Sequence, residues 1–146
     1  MSASTSKKTT FQTKYADYLW EDTDADATLV TMTGLDGGTL FSIEIDNTGN
    51  AATAAYFKFW FVGSTPDVGT TDPFLVLKAP AAQSVSYTFP EGITLTWMSS
   101  SGLAYYAVTT AATKSSSANP ASNVTVKILY SCLLYTSPSP RDGLLS

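Results

Sequence analysis

The sequence predicts an all-β protein: a single antiparallel sandwich of about eight short strands. Three observations carry this expectation. Apolar residues recur at period two in segment after segment, most strongly as Phe57, Phe59 and Phe61 within Tyr56-Phe-Lys-Phe-Trp-Phe-Val62. Turn residues such as Gly, Pro, Asn and Ser separate the alternating segments at short intervals. No stretch of helical length places apolar residues at three-and-four spacing. A sandwich of immunoglobulin-like or jelly-roll type accommodates all three.

Composition agrees and narrows the function classes. Charged residues are 14% of the 146 positions and aromatic residues 12%, a balance suited to a sparsely charged β-rich globule. One domain of this length buries about two-thirds of its unfolded surface without metal or disulfide. The net charge of −4 leaves no basic footprint for a phosphate backbone, so nucleic acid is not an expected partner. No apolar run reaches the ~18 residues of a membrane span, and Met1-Ser-Ala-Ser-Thr-Ser-Lys-Lys8 does not open a secretory signal. The chain is expected to be made in the cytoplasm, with no membrane association.

Taken in order, residues 1–27 read as a polar N-terminal arm interrupted by Tyr15, Tyr18, Leu19 and Trp20. Apolar groups in a polar arm dock on something, and two targets stand open for Tyr18 and Trp20: the protein's own sandwich, or a partner subunit. Asp22, Asp24 and Asp26 have the spacing of half a calcium loop, but Ala27 occupies the turn-glycine position and Thr33 that of the closing glutamate. A solvated acidic turn is the expectation there, with no metal and no cofactor.

The sandwich domain is expected over residues 28–131. Leu29-Val-Thr-Met32 is a short strand, and Phe41, Ile43 and Ile45 alternate with Ser42, Glu44 and Asp46. Asn47-Thr-Gly-Asn50 reads as the reversal of a hairpin whose second arm is Tyr56-to-Val62. A loop over residues 63–73 leads to the brief strand Pro73-Phe-Leu-Val-Leu-Lys78, then to Val85, Tyr87 and Phe89. Pro90-Glu-Gly92 is expected to break the ladder before Ile93, Leu95 and Trp97. Leu103 to Thr110 and the series Val124, Val126, Ile128, Tyr130 complete the set.

Candidate chemistry is sparse. Histidine is absent, which removes the commonest general base and metal ligand. Glu44 and Asp46 share a strand's outer face with Glu91 elsewhere, an arrangement that keeps a sheet wet rather than one built for hydrolysis. Asn123-Val-Thr125 is a glycosylation sequon that matters only in an exported chain. An enzyme is therefore not expected. Tyr56, Lys58 and Trp60 oppose the phenylalanine face, and together with Tyr18, Trp20, Trp97 and Tyr106 they are the candidate interface residues.

Two resemblances bear on origin. Cys132-Leu-Leu-Tyr-Thr-Ser-Pro-Ser-Pro-Arg-Asp142 resembles the in-frame translation of a transposase-type sequencing adapter, so residues 132–146 are expected to be a non-native tail. Arg141 and Asp142 cancel, leaving the net charge unchanged. The order Asn47-Thr-Gly-Asn-Ala51, Tyr56-Phe-Lys58, Gly69-Thr-Thr-Asp-Pro73, Ala79-Pro-Ala-Ala82, Val85-Ser-Tyr-Thr-Phe-Pro-Glu-Gly92, Gly102-Leu-Ala-Tyr-Tyr-Ala-Val-Thr-Thr110 and Asn123-Val-Thr-Val126 resembles small tailed-bacteriophage proteins regarded as virion components. That resemblance implies a non-enzymatic structural or accessory subunit of a head, tail or fibre, located in the virion, partnered by other virion proteins and by copies of itself. Similar sequences often carry glycine where Ala82 stands, so the turn at this position is expected to differ. The alternative is a carbohydrate-binding or adhesion module stacking glycans on Trp60, Trp97 or Tyr106.

Overall fold

The computed structural model describes residues 7–10, 18–32, 38–61, 70–95, 103–111 and 118–132. These hold nine strands: β1 (Lys7–Thr10), β2 (Tyr18–Ala25), β3 (Val30–Met32), β4 (Gly38–Asp46), β5 (Ala55–Phe61), β6 (Leu75–Ala79), β7 (Ser84–Leu95), β8 (Leu103–Val108) and β9 (Val124–Cys132). The described residues contain no helix. A five-stranded sheet runs β1-β2-β9-β4-β7 and a four-stranded sheet β3-β8-β5-β6.

Every pairing is antiparallel, and four of the pairs are nested: β5 with β6, β4 with β7, β3 with β8, and β2 with β9. A single long ribbon, rolled so that successive pairs fall in alternate sheets, has this order. It is the jelly roll. The immunoglobulin arrangement would set the second strand beside the fifth, whereas β2 lies beside β9.

The rows of the register explain the core. Across the five-stranded sheet Trp20, Ile128, Ile43 and Tyr87 form one inward row, and Tyr18, Tyr130, Leu40 and Ile93 another. Opposite them Ala107, Phe57 and Leu77 form a row of the second sheet, with Tyr105, Phe59 and Leu75 beside it. Phe57 packs against Phe59 at 5.4 Å and against Tyr105 at 5.1 Å between ring centroids. Each such ring pair adds about 0.5–1.5 kcal/mol beyond its buried area.

Several sequence expectations change. Within residues 1–27, expected to be an arm, Tyr18–Ala25 is an interior strand between β1 and β9. Asn47-to-Asn50 does not close a hairpin. It starts a crossover, since β4 pairs with β7 and β9 while β5 pairs with β6 and β8. Pro90 and Gly92 do not end a strand: both halves of β7 run the same way along β4, and the register slips between Leu40 opposite Ile93 and Ser42 opposite Thr88. The slip is a bulge on an edge strand, where a missing proline N–H is tolerated. Gly92 takes φ +77 within it, and a Cβ there would collide with the Thr39 methyl. On β4, a one-residue bulge opposite Tyr130 and Leu129 of β9 takes Phe41 out of the inward row, which Leu40 fills instead. β9 runs through Cys132, one residue into the segment expected to be non-native.

The crossover loops are fastened by two buried asparagines. Asn47 Nδ2 donates to the carbonyls of Thr53 (3.0 Å), Ala79 (3.2 Å) and Pro80 (3.1 Å). Asn50 Nδ2 donates to Asn47 Oδ1 and to the Ser122 carbonyl, both at 2.8 Å, and its Oδ1 accepts the Ser122 N–H at 2.7 Å. One end of the sandwich is thereby tied across three connections. Ala82, in the second of them, adopts φ 60, the left-handed region that glycine occupies at lower cost.

Candidate interaction surfaces

The outer face of the four-stranded sheet is where the sequence places an aromatic interface, and the chain covers most of it. Trp60 and Tyr106 are each 1% exposed and Lys58 is fully buried. Trp60 meets Tyr106 edge-on at 5.2 Å and donates its indole N–H to the Thr71 carbonyl at 3.0 Å. Lys58 Nζ lies 5.9 Å from the Tyr106 ring centroid, and burial holds its amine below the usual lysine range. Ala104, Val108, Ala27 and Leu29 complete this second, smaller core. The expectation that Lys58, Trp60 and Tyr106 form a surface is thus corrected: the β2–β3 connection and the residues before β6 close over them.

Tyr18 and Trp20 also lie within the chain's own packing. Tyr18 stacks on Tyr130 at 5.4 Å, and Trp20 is packed against the main core. Tyr56 is half-buried on the outer face. Trp97 lies outside the described residues.

One feature of the interior is polar. The inward row Asp22, Val126, Ile45, Val85 places a carboxylate among aliphatic neighbours. Asp22 is fully buried; its Oδ2 accepts the Tyr105 hydroxyl at 2.6 Å and its Oδ1 the Asp24 N–H at 3.0 Å. Trp20 Nε1–H donates to the Tyr105 oxygen at 2.9 Å, which closes a relay from indole to phenol to carboxylate. Burial raises the Asp22 carboxyl above its ordinary range, against the lowering effect of the Tyr105 hydrogen bond. Asp26 serves a different purpose, capping the Thr28 N–H at 2.7 Å. Among the described residues no group of three or more His, Cys, Asp or Glu side chains converges on a metal position.

Among the described residues, the outer face of the five-stranded sheet is left partly exposed. Its outward rows are Leu19, Leu129, Ser42, Thr88 and, next to it, Glu21, Lys127, Glu44, Ser86. Lys127 Nζ stands 3.9 Å from Glu44 Oε1, with both side chains 44% exposed. A shallow depression of about 350 Å³ lies over Leu19, Ser42, Glu44, Ser86, Lys127 and Leu129. A neighbouring one of about 310 Å³ shares Ser42 and Leu129 and extends to Phe41, Phe89 and Pro90. The apolar strip exists because Leu19 and Leu129 stand at outward positions of strands whose other outward residues are largely polar. The β4 bulge adds Phe41 to it. The sequence carried a signal for this in Leu129, the outward apolar residue between the inward Ile128 and Tyr130.

Among the described residues no helix is long and apolar enough to cross a membrane. No family model, no curated protein and no solved structure matches the chain.

Proposed function

We propose that this protein is a non-enzymatic virion component, a structural or accessory subunit of a phage head, tail or fibre that works by assembling with copies of itself and with other virion proteins. The observation that supports this most is the jelly-roll order combined with a partly apolar sheet face: a two-layer frame that, among the described residues, offers a broad shallow surface. The motif order from Asn47 to Val126 supports the phage assignment. Fold alone hosts many functions, so this reading rests on the conjunction.

Negative-stain microscopy and light scattering of the purified chain test it, together with the identity of the genes flanking its own. A defined oligomer, or decoration of a capsid or tail, is the expected result, with terminase, portal or tail genes alongside. A strict monomer that decorates neither particle part overturns it. The carbohydrate-binding alternative relies on exposed rings, and two of its three, Trp60 and Tyr106, are enclosed. Silence on a glycan array would remove it.

A further inference from the structure

We infer that the outer face of the five-stranded sheet is a self-complementary interface, and that its occupant is a second copy of this chain related by a two-fold axis parallel to the strands between β4 and β9. The inference rests on the assembly reading above and names the surface that assembly uses.

Strand register decides which residues would meet. A two-fold axis parallel to the strands preserves position along each strand and reverses the order of strands across the face. It therefore lays each outward row on the same row of the partner, read backwards. The row Glu21, Lys127, Glu44, Ser86 then meets Ser86, Glu44, Lys127, Glu21. Lys127 comes to face Glu44 of the second copy, Glu44 faces Lys127, and both Glu21 side chains face Ser86. No like charges are opposed. In the adjoining row Leu129 faces Ser42, with Phe41 beside it, and Leu19 faces Thr88, so each leucine is covered by a small polar residue of the second copy. An axis perpendicular to the strands and crossing the Glu21, Lys127, Glu44 row would instead keep each strand over itself, opposing Lys127 to Lys127 and Glu44 to Glu44 and setting Leu19 and Leu129 against the row that contains Asp46 and Thr125.

The size of the face is compatible. Four strands about 4.8 Å apart, and the nine residues of β4 at about 3.4 Å each, span roughly 600 Å² per copy. Two copies reach the lower bound of about 1,200 Å² for specific interfaces.

Charge reversal with mixing tests the arrangement, with the full chain studied by sedimentation velocity. Wild type is expected to be a dimer. Glu44→Lys alone opposes two ammonium groups across the axis, and Lys127→Glu alone opposes two carboxylates, so each variant is expected to weaken the dimer by about tenfold or more. An equimolar mixture of the two variants restores complementary pairs across the axis although each chain still carries a like-charged pair internally, and it is expected to recover the dimer. Circular dichroism melts of each variant establish that the sandwich is intact; Leu129→Glu serves as a second disruption should either fail to fold. A wild-type monomer, a dimer indifferent to all three substitutions, or a mixture that stays monomeric overturns the inference. A wild-type monomer that still decorates a capsid or tail would overturn the interface and leave the virion reading standing; a dimer with the mixing signature that decorates neither particle part, from a gene with no terminase, portal or tail gene beside it, would do the reverse.

Discussion

Asp22 is the residue at which physical chemistry and sequence pattern conflict most, since β2 delivers a carboxylate to an inward row otherwise filled by Val126, Ile45 and Val85. Tyr105 and the Asp24 N–H satisfy its oxygens, yet burial still disfavours the charged form. The folded carboxyl binds its proton more tightly than the unfolded one. Stability contributed through Asp22 therefore rises as pH falls from above its raised pKa toward the ordinary carboxylate value. Asp46 has the opposite sign. The Thr48 hydroxyl and N–H lower its pKa, so its contribution is present above the ordinary value and is lost as pH falls through the lowered one. Urea titrations across pH are expected to show stability increasing on mild acidification and declining in stronger acid. Asp22→Asn should flatten the first limb only; an unchanged first limb would show that Asp22 is not its source.

Ala82 gives a second prediction at this scale. Its φ of 60 is a conformation that costs an alanine more than a glycine, and the turn is held there by the Ala82 N–H, which donates to the Asn50 carbonyl at 2.9 Å. Ala82→Gly is expected to stabilise the fold by about 0.5–1 kcal/mol, net of the added flexibility of the unfolded chain. A thermal melt reads this directly, and a loss of stability would contradict the left-handed geometry.

Among the elements, the strands were legible and their partners were not. Alternation is a local property, so Phe57 and Phe59, Ile43 and Ile45, and Val124, Val126 and Ile128 all point inward as the period-two pattern requires. Pairing is long-range. The Asn47-to-Asn50 segment has the composition of a hairpin turn, but its side chains are spent on Thr53, Ala79, Pro80 and Ser122, and those bonds steer the chain to the other sheet. Removing this tie takes the side-chain donor from the buried Ala79 carbonyl and from those of Thr53 and Pro80, of which Pro80 keeps the Gln83 N–H. Asn47→Ala is expected to cost about 1–3 kcal/mol and to raise amide exchange in residues 80–83 and 118–123 together. Exchange confined to residues 47–54 would mean that the three connections are not coupled. The Phe41 bulge was illegible for a related reason, because a register slip shows itself only once β4 has a partner.

For the molecule as a whole, the aromatic face expected to be an interface became a second core. Lys58, Trp60 and Tyr106 carry the residue types that suggest a binding surface, and those same types pack well under a connection that folds over them. Nothing in their spacing distinguishes the two fates; the β2–β3 crossover of the jelly roll does. The surface left partly exposed among the described residues is instead the sheet whose outward residues looked ordinary, with Leu19 and Leu129 as the exceptions. Its charges and apolar strip become meaningful only when the four strands are set side by side.

If two copies meet through this face, interchain cross-linking reads the contact itself. In a Cys132→Ser background, a Ser42→Cys chain is mixed with a Leu129→Cys chain under mild oxidation, so that any disulfide between the two positions must join different molecules. The expected result is a covalent dimer formed from this mixture and not from one in which Lys78→Cys, on an exposed position of the other sheet, replaces Leu129→Cys. Equal cross-linking in both mixtures, or none in either, would contradict it.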